Sequence, residues 1–185
     1  MRLYFLFVTL FVFYLSGCTP GTTPESAGEK VIKTVQDIEG RQFKSELQDL
    51  IQHSDKIILS EHSFEFDLMD AKMEKTLIPV PIIYEAKQLT GRQSANLILM
   101  VKNLEEETEI GPPACIFEPH HSLAFFSGEK QIGSMEICFE CGQVEWSGQT
   151  KKLPKGLIHA LSSFISKVGM EPKRDWARYA KSHVK

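Results

Sequence analysis

Residues 114–146 read ACIFEPHHSLAFFSGEKQIGSMEICFECGQVEW. This stretch holds three of the chain's four cysteines, two adjacent histidines and its most regular strand signals. An extended run over 114–118 is broken by Pro119, which lacks a backbone donor, and extended structure resumes over 122–126. Ser127-Gly128-Glu129-Lys130 has the composition of a hairpin turn, and 131–139 supplies the returning strand. Gly142 permits a sharp backbone path before Val144 and Trp146 restore the alternation. Sequential strands with such short connections cannot make parallel crossovers, so the stretch predicts an antiparallel, meander-like sheet.

Outward from this sheet the spacing changes from two to near 3.6. Pro154 and Gly156 close the sheet region, and Leu157, Ile158, Leu161, Phe164, Ile165 and Val168 form the clearest helical stripe in the chain, with Gly169 as its stop. A second, basic helix is expected over 174–184. Upstream, Thr90 with Gln93 forms a capping box before a stripe of Ser94, Leu97, Val101 and Leu104, with Met100 beside it. The acidic run 105–107 belongs in a solvated turn, because a helix C-terminus does not favour anions. Residues 82–89 and 56–60 read as strands, and Phe64, Phe66 and Leu68 alternate with charge as a further strand would. Pro79 and Pro81 argue against a regular central strand. Phe43, Leu47, Leu50 and Ile51 recur as one face of a helix, whereas 30–39 fits a short helix or a strand. The sum is a single α+β domain over 30–185, an antiparallel sheet or meander covered by amphipathic helices.

Chemistry concentrates in the same stretch. Cys115, His121, Cys138 and Cys141 have the order C-x5-H-x16-C-x2-C, and three thiolates with one imidazole suit tetrahedral Zn2+. Strand parity sets a condition. In one uninterrupted strand Cys138 and Cys141 would point to opposite faces, so a turn or bulge must separate them. His120 competes with His121 for the ligand role, while His53, His62, His159 and His183 have no ligand spacing and read as surface or cap residues. A disulfide or thiol-disulfide redox pair at Cys138 and Cys141 is the alternative, leaving Cys115 over; packed or free thiols are a third reading. A nucleophile reading of Cys115, with His121 as base and Glu118 or Glu140 orienting it, lacks a unique third member. Phe125, Phe126, Phe139 and Trp146 read as core, and Glu136, Glu140 and Glu145 as an exposed strand face. No P-loop, dinucleotide fingerprint, zinc-protease motif or serine-hydrolase elbow is present, so no catalytic residue is assigned.

Cys115-Ile116-Phe117-Glu118-Pro119-His120-His121 and Ile137-Cys138-Phe139-Glu140-Cys141 resemble segments of a group of uncharacterised bacterial proteins. That group carries Cys-x3-Pro-Arg-His followed by Ile-Cys-Phe-x-Cys. The resemblance covers mainly 114–146 and implies a shared small domain with a Cys/His site, but no activity to transfer. His120 stands where the pattern has arginine, which removes a permanent charge beside the cluster.

The N-terminus bears on location. Met1 and Arg2 precede LYFLFVTLFVFYLSGC, a short apolar run ending in small residues. Leu15-Ser16-Gly17-Cys18 resembles a bacterial lipoprotein processing box. By that resemblance 1–17 is a signal peptide and Cys18 becomes the acylated first residue, held in a bilayer by about 0.8 kcal/mol per buried methylene. Residues 18–29, rich in Thr, Pro, Gly and Ser, then read as the lipidated residue and its tether. Thr19 is not the aspartate associated in many enteric bacteria with inner-membrane retention, so the inner leaflet of an outer membrane is the expected address where two membranes exist. Loss of Arg2 would leave 20 Lys and Arg against 24 Asp and Glu. An exported acidic chain is a poor nucleic-acid binder, so the expected partners are the bilayer and an envelope protein.

Overall fold

The computed structural model describes residues 27–68, 81–108 and 115–183; Cys18, the signal and most of the expected tether lie outside them. Among the described residues, α1 (Ala27–Gln52) leads into β1 (Lys56–His62), a 3-10 turn (Glu65–Leu68), β2 (Ile83–Gln88) and α2 (Gly91–Lys102). Then follow β3 (His121–Ser127), β4 (Lys130–Cys138), β5 (Gln143–Trp146), α3 (Leu157–Val168) and α4 (Trp176–His183). The five strands form one antiparallel sheet in the order β2-β1-β3-β4-β5. The chain is therefore α+β, as its periodicities predict.

Register explains which side is covered. Ile57 lies opposite Phe125 and Leu59 opposite Leu123, while Leu123 faces Met135 and His121 faces Ile137. Alternate residues share a face, so these apolar side chains make one continuous layer. Phe43, Leu47 and Ile51 of α1, Leu97 and Val101 of α2, and Leu157, Leu161, Phe164 and Ile165 of α3 close over it. Burying a large apolar side chain contributes about 1.5–3 kcal/mol, which makes this layer the main source of stability.

Local signals hold at several joints. Thr90 accepts from the Gln93 backbone N–H and the Gln93 side chain accepts from the Thr90 N–H, the reciprocal capping box that starts α2. Gly128 turns the β3–β4 hairpin with φ of 60°, and Gly169 ends α3 with φ of 88°, backbone conformations that disfavour other residues. The stretch 30–39 is helical and belongs to α1, which starts at Ala27, inside the last residues of the expected tether.

Two expected strands are absent. Around Phe64, Phe66 and Leu68 the chain forms a 3-10 turn, because the Asp67 carboxylate accepts the Phe64 N–H at 2.6 Å and offers the backbone a local partner. Residues 115–118 carry no ladder either; β3 begins at His121, after Pro119. The strands of 121–146, β3, β4 and β5, form the expected meander, and β1 and β2 extend it on the β3 side. β1 lies between β2 and β3, so the chain returns past β1 by way of α2.

Candidate functional site

The turn after β4 resolves the parity problem between Cys138 and Cys141. Cys138 is the last residue of β4, and Gly142, with φ of 67°, reverses the chain into β5. Cys141 thereby folds back, and its backbone N–H donates to the Cys138 thiol at 3.4 Å. Both cysteines are buried, and neither forms a disulfide. Cys115, on the irregular segment before β3, is near enough to act on the Cys141 thiol and stays exposed. Burial, then the neighbouring Cys138 and Cys115 thiols, push the Cys141 thiol up to about 12. The structure thus brings together three of the four sequence-predicted residues around Cys141.

His121 occupies a different environment. It lies opposite Ile137, so it shares the covered face with residues 137 and 139 and has the opposite parity to Cys138. Its ring is fully buried, and it meets Phe139 edge-on at 5.2 Å and Trp176 at 5.4 Å. Neither ring nitrogen bonds to a thiol; Nε2 is 3.7 Å from the Glu61 carboxylate. Burial pushes its pKa down to about 3. The positive fields of His62, His120 and Arg174 act in the same direction, and the Glu171 carbonyl opposes them. His121 is accordingly a neutral imidazole at physiological pH.

Around it lies a polar layer at the end of the sheet. Glu61, 1% exposed, extends the inward row of Ile57 and Leu59, and it accepts two hydrogen bonds from Arg174, each 3.1 Å, and one from the Glu171 N–H. His120 Nε2 lies 3.1 Å from both oxygens of Asp67, and its ring stacks on Trp176 at 4.4 Å with planes 4° apart. His62 Nε2 lies 3.3 Å from Glu136. Burial would push His62 down, but the hydrogen bonds that its ring donates to the Glu136 carboxylate and the Ser63 carbonyl, with the carboxylate fields, prevail and its pKa is raised. Three imidazoles therefore each face a carboxylate.

His53, His159 and His183 are exposed as expected, whereas His62, at the end of β1, is buried, with its ring nitrogens against the Ser63 carbonyl and the Glu136 carboxylate. Phe125, Phe139 and Trp146 are core residues, and Glu140 and Glu145 are exposed. Sequence reasoning missed Glu61, Asp67, Arg174 and Trp176. Glu61 carries a usable signal, since it continues the period-two row of Ile57 and Leu59 and so had to point inward. The other three are joined to the histidines only by long-range packing.

Among the described residues, no group of three or more His, Cys, Asp or Glu side chains stands ready to hold a metal ion as placed. The donor set around Cys141 fits a soft ion in kind, since all three groups are thiols. Compared with known proteins, the chain matches no family model, no curated protein and no solved structure.

Proposed function

We propose that this chain is an envelope lipoprotein, anchored through Cys18, whose domain binds a soft metal ion, Zn2+ in the first place, on Cys115, Cys138 and Cys141. One observation carries the reading: Cys141 folds back on Cys138, its backbone N–H 3.4 Å from that thiol, and the thiol of Cys115, far away in the chain, also acts on it. Thiolates select zinc and other soft ions over magnesium or calcium. The exposed Cys115 gives the ion a route in, and the two buried thiols would hold it on a stiff turn. The role is structural or sensing, with a second envelope protein as the partner that reads it.

The protonated state of Cys141 bears on the competing thiol-redox reading. A thiolate is the species that attacks a disulfide, and a buried thiol held protonated is a poor one. Metal binding removes that proton, so affinity is expected to weaken as pH falls.

The deciding measurement is elemental analysis with intact mass on the mature protein, purified without reductant or added metal. One zinc per chain, lost in Cys138→Ser and in Cys141→Ser, supports the proposal. His121 was the fourth expected ligand; because its ring turns towards Glu61, His121→Leu is expected to keep its metal. A metal-free chain with a Cys138–Cys141 disulfide would overturn the metal reading in favour of redox chemistry. For the anchor, loss of membrane association in Cys18→Ser is expected, and an unchanged fraction with no lipid mass on the native chain would refute it.

A further inference from the structure

The first three turns of α1 present an apolar stripe that the domain does not cover. Val31, Val35 and Ile38 recur at i, i+4 and i+7 and so stand on one side of the helix, with Ile32 beside them. They are 63, 46, 50 and 61% exposed, whereas further along the same helix Phe43, Leu47 and Ile51 are buried. At 100° per residue Val31, Val35 and Ile38 lie roughly opposite the buried side chains, and Ile32 lies between the two faces. An uncovered helical segment shorter than about 12–15 residues is marginal in water, and four β-branched apolar side chains do nothing to solvate it.

Two kinds of surface are within reach of this stripe. A second copy is too small a partner, since four side chains fall far below the roughly 20–30 residues a side of a stable protein interface. The bilayer is better placed. Cys18 precedes Ala27 by nine peptide units, so an acylated Cys18 keeps the start of α1 within about 30 Å of its own attachment point. We infer that Val31, Ile32, Val35 and Ile38 lie in the membrane interface, laying the N-terminal half of α1 on the bilayer as a second contact beside the lipid. This rests on the reading of Cys18 as the lipidated residue. The consequence is orientation: the domain is held against the membrane in one pose and does not swing on a free tether.

The test places a photoreactive benzophenone side chain at Val35 of the full-length, lipidated protein in phosphatidylethanolamine–phosphatidylglycerol vesicles. A second sample carries it at Gln52, the exposed far end of the same helix. Flotation and the acyl mass on Cys18 are read first. The expected result after illumination is a phospholipid adduct at position 35, about tenfold above that at position 52, because an interfacial helix buries its apolar face about 5–10 Å into the headgroup boundary. An anchored, floating protein without the adduct would overturn the inference while leaving the anchor intact. Covalent dimers joined through position 35 would overturn it in favour of a second copy. A chain with no acyl mass that fails to float would remove the anchor reading and the inference together.

Discussion

His121 makes the acid response of this protein calculable in sign. Its pKa is about 6.5 when unfolded and about 3 when folded, so between these values the unfolded chain holds a proton that the folded chain refuses. Stability is then fully present above about pH 6.5 and falls as the pH falls, by about 2 kcal/mol at pH 5. His62, whose pKa is raised, works the other way: its contribution is complete below 6.5 and is lost as the pH rises through its folded value. Measuring urea midpoints from pH 7 to 5 separates the two. His121→Leu is expected to flatten the slope, and an unchanged slope would show that His121 is not the source. The window stops at pH 5 because Glu46 adds its own loss below 4.5. There burial pushes the carboxyl up, but the hydrogen bonds from Thr150, Gln42 and Gln149 outweigh burial and hold it low. At this scale the sequence was a partial guide. It picked out His121 and the cysteines as chemically notable, but it had no means of saying that the imidazole and the thiols would divide between two environments.

Among the elements, α1 and α2 show how far propensity carries. Alanine is favoured over glycine in a helix by about 1 kcal/mol, so propensity predicts that both Gly40→Ala and Gly91→Ala stabilise. Packing separates them. A Cβ at Gly40 would run into the Glu106 backbone carbonyl, where the turn after α2 crosses α1, whereas at Gly91 nothing lies within 4 Å. Thermal melts should show Gly40→Ala destabilised by about 1–3 kcal/mol and Gly91→Ala unchanged or slightly raised. Equal effects would mean that the helix crossing is looser than described. The same competition between local and distant forces accounts for the element boundaries. Thr90 and Gln93 start α2 through bonds made within four residues, and such signals are readable in the chain. The alternation of Phe64, Phe66 and Leu68 is equally local, yet the Asp67 carboxylate captures the Phe64 N–H and turns the segment away from the sheet.

On the scale of the whole molecule, α4 and the segment leading into it are fastened by polar and aromatic contacts. Arg174 binds Glu61, Trp176 lies against both His120 and His121, and Tyr179 packs on Tyr84. Trp176→Ala therefore removes the common wall of two imidazoles, and a loss of about 3–5 kcal/mol in urea unfolding is expected. A loss below about 1 kcal/mol would show that α4 is dispensable to the fold. By itself the sequence determined the α+β class, the capped start of α2, the stop of α3 and the β3–β4 hairpin. All of these follow from local backbone preference and apolar period, which act within a few residues. Only the tertiary structure decided that β1 enters between β2 and β3, that Cys115 reaches Cys141, and that Glu61, His121, Arg174 and Trp176 meet. Those contacts join residues tens of positions apart. Their partners are selected by sheet register and helix docking, free energies that belong to the assembled core and to no single stretch of chain.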